Sequence, residues 1–127
     1  MSRGINDQII NFLGDKVSAV GKTLFSGTWS VGNSKTVSGL NSYWLVLVYQ
    51  NSGDVLIGSI DDSGYIRCVG LSVGTNGTQY VQHAAFSPDG SNYKLTQCSQ
   101  LTHNYNTSHN GYTTRSVSKI IGIIPKN

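Results

Sequence analysis

The stretch Tyr43-Trp44-Leu45-Val46-Leu47-Val48-Tyr49 limits this chain's choices more than any other. Seven apolar or aromatic residues run without a break between two sets of turn formers, Ser38-Gly39-Leu40-Asn41-Ser42 and Gln50-Asn51-Ser52-Gly53. A run this short is too brief for a helix and is rich in aromatic and β-branched residues, so it reads as a strand with both faces covered. Such a strand lies in a sandwich core, in a barrel wall, or in a sheet buried beneath a neighbouring subunit. Trp44 or Leu45 is accordingly expected to be buried.

The rest of the chain from Lys22 onward supplies short strands at regular spacing. Thr23 to Trp29 alternates so that Phe25 and Trp29 share a face, with Gly27 between them placed for a bulge. After a short Lys35–Val37 strand and the Tyr43–Tyr49 run come Asp54–Ile60, the turn Asp61-Asp62-Ser63-Gly64, and the return limb Tyr65–Leu71. Gly74-Thr75-Asn76-Gly77-Thr78 is a further turn whose Asn-Gly pair suits a tight hairpin. Gln79–Phe86 follows and ends at Ser87-Pro88-Asp89-Gly90. Tyr93–Leu101, a polar loop from His103 to Gly111, and a last strand from Tyr112 to Ile124 complete the pattern. Strands with turns every eight to twelve residues predict an antiparallel β-sandwich, jelly-roll-like, over residues 23–127.

Ahead of it, residues 1–22 carry the one helical pattern. Asn6, Ile10, Leu13, Val17, Val20 and Leu24 recur at alternating spacings of four and three, a heptad seam in which Ile10, Leu13, Val17 and Val20 are the candidate oligomerisation residues. Two heptads are too short to associate unaided. The same pattern also fits an amphipathic helix folded on its own β-domain. Met1-Ser2-Arg3-Gly4 leads into this segment without an apolar stretch, so a secretion signal is not expected.

Composition excludes several classes. Charged residues make up 12% of the 127 and glutamate is missing, so the surface is polar but weakly charged. The nine basic residues nowhere form a run and the net charge is only +3, which argues against nucleic acid as a partner. No stretch nears twenty apolar residues, so helical membrane insertion is not expected. Cys68 and Cys98 lack metal-site spacing and are expected to be reduced, buried thiols.

No catalytic constellation is recognisable. The carboxylates are Asp7, Asp15, Asp54, Asp61, Asp62 and Asp89, and those in turns are expected to cap their own backbone. His83 lies in a strand and His103 and His109 share a loop, without a nucleophile elbow or an acid beside them. Neither a metal nor a cofactor is expected. The loop His103-Asn104-Tyr105-Asn106-Thr107-Ser108-His109-Asn110-Gly111-Tyr112 does combine aromatic, amide and hydroxyl groups, the equipment for binding neutral sugars. Tyr105, Asn106, His109 and Tyr112 are its candidate ligand-binding residues.

Phe25-Ser26-Gly27-Thr28-Trp29-Ser30, then Lys35-Thr36-Val37-Ser38, the Tyr43–Tyr49 strand and a closing Lys119-Ile120-Ile121-Gly122-Ile123 occur in an order that resembles the small C-terminal β-domains of bacteriophage tail fibre, baseplate and minor structural proteins. The resemblance covers residues 23–124. It implies a homotrimeric β-tip, located in the virion tail after synthesis in the bacterial host cytoplasm. The implied partners are further copies of itself, other tail proteins, and a host-surface glycan or protein. No catalytic residues come with it. The competing reading is a cellular carbohydrate-binding or adhesin module, for which a secretion signal is expected.

Overall fold

The structure, a computed structural model, describes residues 20–74, 77–104 and 109–126. Its strands are β1 (Lys22–Trp29), β2 (Ser34–Lys35), β3 (Tyr43–Gln50), β4 (Val55–Ile60), β5 (Ile66–Val73), β6 (Thr78–Asp89), β7 (Asn92–Asn104), β8 (His109–Thr114) and β9 (Val117–Pro125). All pair antiparallel in one sheet of order β1-β9-β3-β4-β5-β6-β7-β2, with β8 beside β7. The mainly antiparallel β class is therefore as expected. The layering differs: the strands form a single sheet curled into a half-barrel instead of two stacked sheets.

The curl is held by two crossings between the sheet's edges. The Ser30–Asn33 connection leaves edge strand β1 and reaches β7, where the Gly32 amide donates to the Leu95 carbonyl at 2.8 Å and the Leu95 amide to Asn33 at 3.1 Å. Trp29 stands at this junction, fully buried, its indole N–H donating to the Asn33 carbonyl at 2.8 Å and its ring centroid 4.9 Å from that of Phe86. The second crossing is Arg115-Ser116, where the Arg115 amide donates to the Cys98 carbonyl at 2.8 Å and the Asn51 amide to Ser116 at 2.9 Å. Between the crossings the fully buried Gln50 spans the interior, its Nε2 donating to the carbonyls of Ser99 (3.0 Å) and His83 (3.3 Å).

Several local expectations hold. Phe25 and Trp29 meet with ring centroids 5.4 Å apart, and the β1–β9 register shifts between Ser26 and Trp29, where Gly27 takes φ 146°, a conformation side chains other than glycine rarely adopt. Asp61 caps its own turn, accepting from the amides of Ser63 and Tyr65. Cys68 and Cys98 are free, buried thiols. Both stand opposite Ala84 in the register of β5, β6 and β7. Two strand spacings put their Cα atoms roughly 9–10 Å apart, outside disulfide reach.

Three expectations are corrected. Strand β3 is interior to the sheet, but only one of its faces is buried: Tyr43, Val46 and Val48 point inward, Trp44 is 45% exposed and Leu45 half-buried. Leu24 is in β1 and packs against the barrel core instead of continuing a heptad. Val20 sits in the turn before β1 and is exposed; Ile10, Leu13 and Val17, with the rest of the expected helix, lie outside the described residues. The two ends of the expected loop from His103 to Gly111 are strand, because β7 runs to Asn104 and β8 starts at His109, paired with each other; residues 105–108 lie outside the described residues.

Candidate functional site on the outer face of the sheet

β6 and β7, of 12 and 13 residues, are twice as long as β4, so their hairpin overhangs the barrel. The overhang is an arm made of the ends of β5, β6 and β7 with β8 at its edge. Its inner face carries Ser72, Thr78, Tyr80, Gln82, Gln100, Thr102 and Asn104, and several of its amides and hydroxyls bond to one another. Gln82 Nε2 donates to Ser72 Oγ (3.0 Å) and Gln100 Oε1 (3.3 Å), and Asn104 Nδ2 donates to Thr78 Oγ1 (3.1 Å). On the outer face stand Val69, Leu71, Val73, Val81, Leu101 and Tyr112. Leu71 and Val73 are 78% and 80% exposed, the highest values among the described large apolar side chains.

Three shallow grooves follow one another across this outer face. A groove of about 590 Å³ lies over β4 and β5, lined by Val55, Ile57, Ser59, Arg67, Val69 and Leu71. The next, over β5 and β6, is lined by Leu71, Val73, Gln79 and Val81. The third, about 290 Å³, lies over β6, β7 and β8. Its floor is Val81 and Leu101, and its rim is Gln79, His103 and Asn110. The His103 Nδ1 and Asn110 Oδ1 atoms are 2.5 Å apart, a contact that requires the imidazole to donate from Nδ1. Tyr112, paired with Leu101 and 62% exposed, stands beside this third groove. An apolar floor, a rim of amide and imidazole hydrogen-bonding groups and an adjacent open ring suit a neutral, hydroxyl-rich ligand.

The sequence-predicted binding residues therefore divide. Tyr112 stands beside the groove through its pairing with Leu101. His109 opens β8 opposite Asn104, while Tyr105 and Asn106 lie outside the described residues. The groove recruits residues that a reading confined to the loop misses: Gln79 and Val81 from β6 and Leu101 from β7. Their signal was present in the alternation of β6 and β7, but only strand pairing brings them beside His103 and Asn110.

Catalytic arrangements are sparse among the described residues. Ser99 Oγ lies 2.8 Å from His83 Nε2, yet Ser99 is fully buried, so the contact acts as a cross-strand hydrogen bond and not as an accessible nucleophile. No group of three or more His, Cys, Asp or Glu side chains converges among the described residues. Arg67 Nη1 lies 2.7 Å from Asp61 Oδ2, and this hydrogen bond, more than the turn amides, holds the Asp61 carboxyl below its usual range. Burial pushes the Cys68 thiol up to about 12, with Cys98 nearby adding to it, and pushes Cys98 up to about 11 against the opposing hydrogen bond from Gln50. Both thiols are thereby unreactive at neutral pH.

Comparison with protein-family models, curated proteins and solved structures returns no match.

Proposed function

We propose that this chain is a virion structural protein of a bacteriophage or prophage, a tail-fibre or receptor-binding tip that recognises a host-surface saccharide or protein without catalysis. The observation that supports this reading best is the uncharged groove at the end of the arm, where Leu101, His103 and Asn110 adjoin the open ring of Tyr112. Neutral glycans are held by ring stacking and by hydrogen bonds to amide and imidazole groups, and such contacts are weak singly. Several copies in one assembly raise their effect through avidity. The proposed assembly is a homotrimer in the virion tail, with residues 1–22 as a short helical stalk and Ile10, Leu13, Val17 and Val20 along its seam. The resemblance of residues 23–124 to phage tail β-domains supports the same reading.

The test is a pull-down of purified chain on intact Gram-positive and Gram-negative bacteria and on their isolated cell-wall polysaccharides. Wild type is expected to bind at least one, and Tyr112→Ala and His103→Ala to bind at least about tenfold more weakly with unchanged circular dichroism. Equal binding by all three proteins would take the groove out of the proposal. Binding by none of them to any surface would leave a purely structural tail role.

A further inference from the structure

We infer that the outer face of β4 and β5 is the docking surface for a second copy of this chain. Val55, Ile57, Val69, Leu71 and Val73 form it, all exposed and contiguous through the pairing of Ile57 with Val69. Together they present on the order of 500 Å² of apolar surface, which matches the apolar part of a standard interface of ~800 Å² per partner. A contiguous patch of this size lies toward the upper end of what monomers leave to water, where such patches commonly mark an interaction site.

The charge pattern favours a copy of the same chain. Among the outward residues of the two strands, Arg67 alone is charged, and Asp61 pairs with it at the margin. This face can therefore pack on a neighbouring copy without like charges opposed, although the whole chain carries a net charge of +3. The inner side of the same strand ends offers no comparable surface, because its amides and hydroxyls are bonded to one another.

This interface is separate from the Tyr112 groove, and its test contains no glycan, so its failure and that of the receptor reading are read independently. The probe is a single surface thiol, Leu71→Cys, in the full chain, alkylated with a maleimide at neutral pH; Cys68 and Cys98 stay silent because they are buried. Ser63→Cys in the exposed Asp61–Gly64 turn is the control. The expected result is alkylation of Leu71→Cys at least about tenfold slower than the control, in a species that light scattering shows to be oligomeric. Adding Val73→Asp should abolish both the protection and the oligomer with unchanged circular dichroism, and Val73→Ser, milder at this exposed position, should weaken both. Protection in a monomer would mean that the chain covers itself, and rapid alkylation in an oligomer would mean that copies meet elsewhere. Rapid alkylation in a monomer would mean that nothing docks there. Any of these three overturns the inference.

Discussion

The barrel end of the sheet and the arm place their apolar side chains on opposite faces. At the barrel end, Leu56, Ile60, Ile66, Cys68, Ala84, Phe86 and Leu95 point inward and are buried around Trp29. In the arm the same inward-pointing positions continue as Ser72, Gln82 and Gln100, and the apolar set moves to the outer face as Leu71, Val73, Val81 and Leu101. β5 shows the exchange within one strand, from Ile66 and Cys68 inward to Val69, Leu71 and Val73 outward. A side chain stabilises the fold only where the sheet curls over it. Elsewhere the same hydrophobicity is available to a partner.

Truncating the buried ring of Trp29 is expected to have the largest effect on the barrel end. Trp29→Ala should cost about 3–5 kcal/mol in urea unfolding, since it empties a fully buried site and removes the indole bond to Asn33. A loss below about 1 kcal/mol would show that the crossing at Asn33 does not depend on the ring. A smaller effect is expected from overfilling the same end. A Cβ on Gly58 would stand 2.6 Å from Cys68 Sγ and 3.1 Å from Val46 Cγ2. Gly58→Ala should therefore cost about 1–3 kcal/mol by the same assay.

The thiols give a pH-dependent version of the test. Cys68 and Cys98 have folded-state values raised above the ordinary 9.0, to about 12 and about 11, chiefly by burial. Their contribution to stability is therefore complete below pH 9 and lost progressively as pH rises through those folded values. Urea midpoints should fall between pH 9 and pH 11, and Cys68→Ala should flatten that decline. A slope unchanged by the substitution would assign it to other groups. The smallest effect belongs to the arm. Leu71→Ala should alter the stability of the dissociated monomer by no more than about 0.5 kcal/mol, because its side chain is already in water. A cost comparable to that of Trp29→Ala would erase the distinction between the two regions.

Much of the local structure was legible in the residues. Alternation, turn chemistry and short apolar runs located most of the strands. They also placed the bulge at Gly27, the Phe25–Trp29 contact and the self-capping Asp61, because each depends on neighbours within a few positions. Part of the candidate groove was legible too, in His103 and Asn110 of its lining and in Tyr112 beside it. Gln79, Val81 and Leu101 were not, since they join the groove through pairing between separate strands.

The apolar run at Tyr43–Tyr49 marks the boundary between the two kinds of information. Its composition alone determined that it is a strand inside the sheet, as β3 between β9 and β4. It could not determine which face is covered, because Trp44, Leu45 and Leu47 are as apolar as Val46 and Val48. The same ambiguity holds for Val55-Leu56-Ile57 in β4, where Leu56 is buried and its neighbours are exposed. The direction of curl resolves both, and it follows from contacts remote in sequence: Gly32 and Asn33 with Leu95, Arg115 with Cys98, and Gln50 with His83 and Ser99. Period-two patterning assigns residues to two faces of a strand, but only the curl of the whole sheet makes one of those faces the inside.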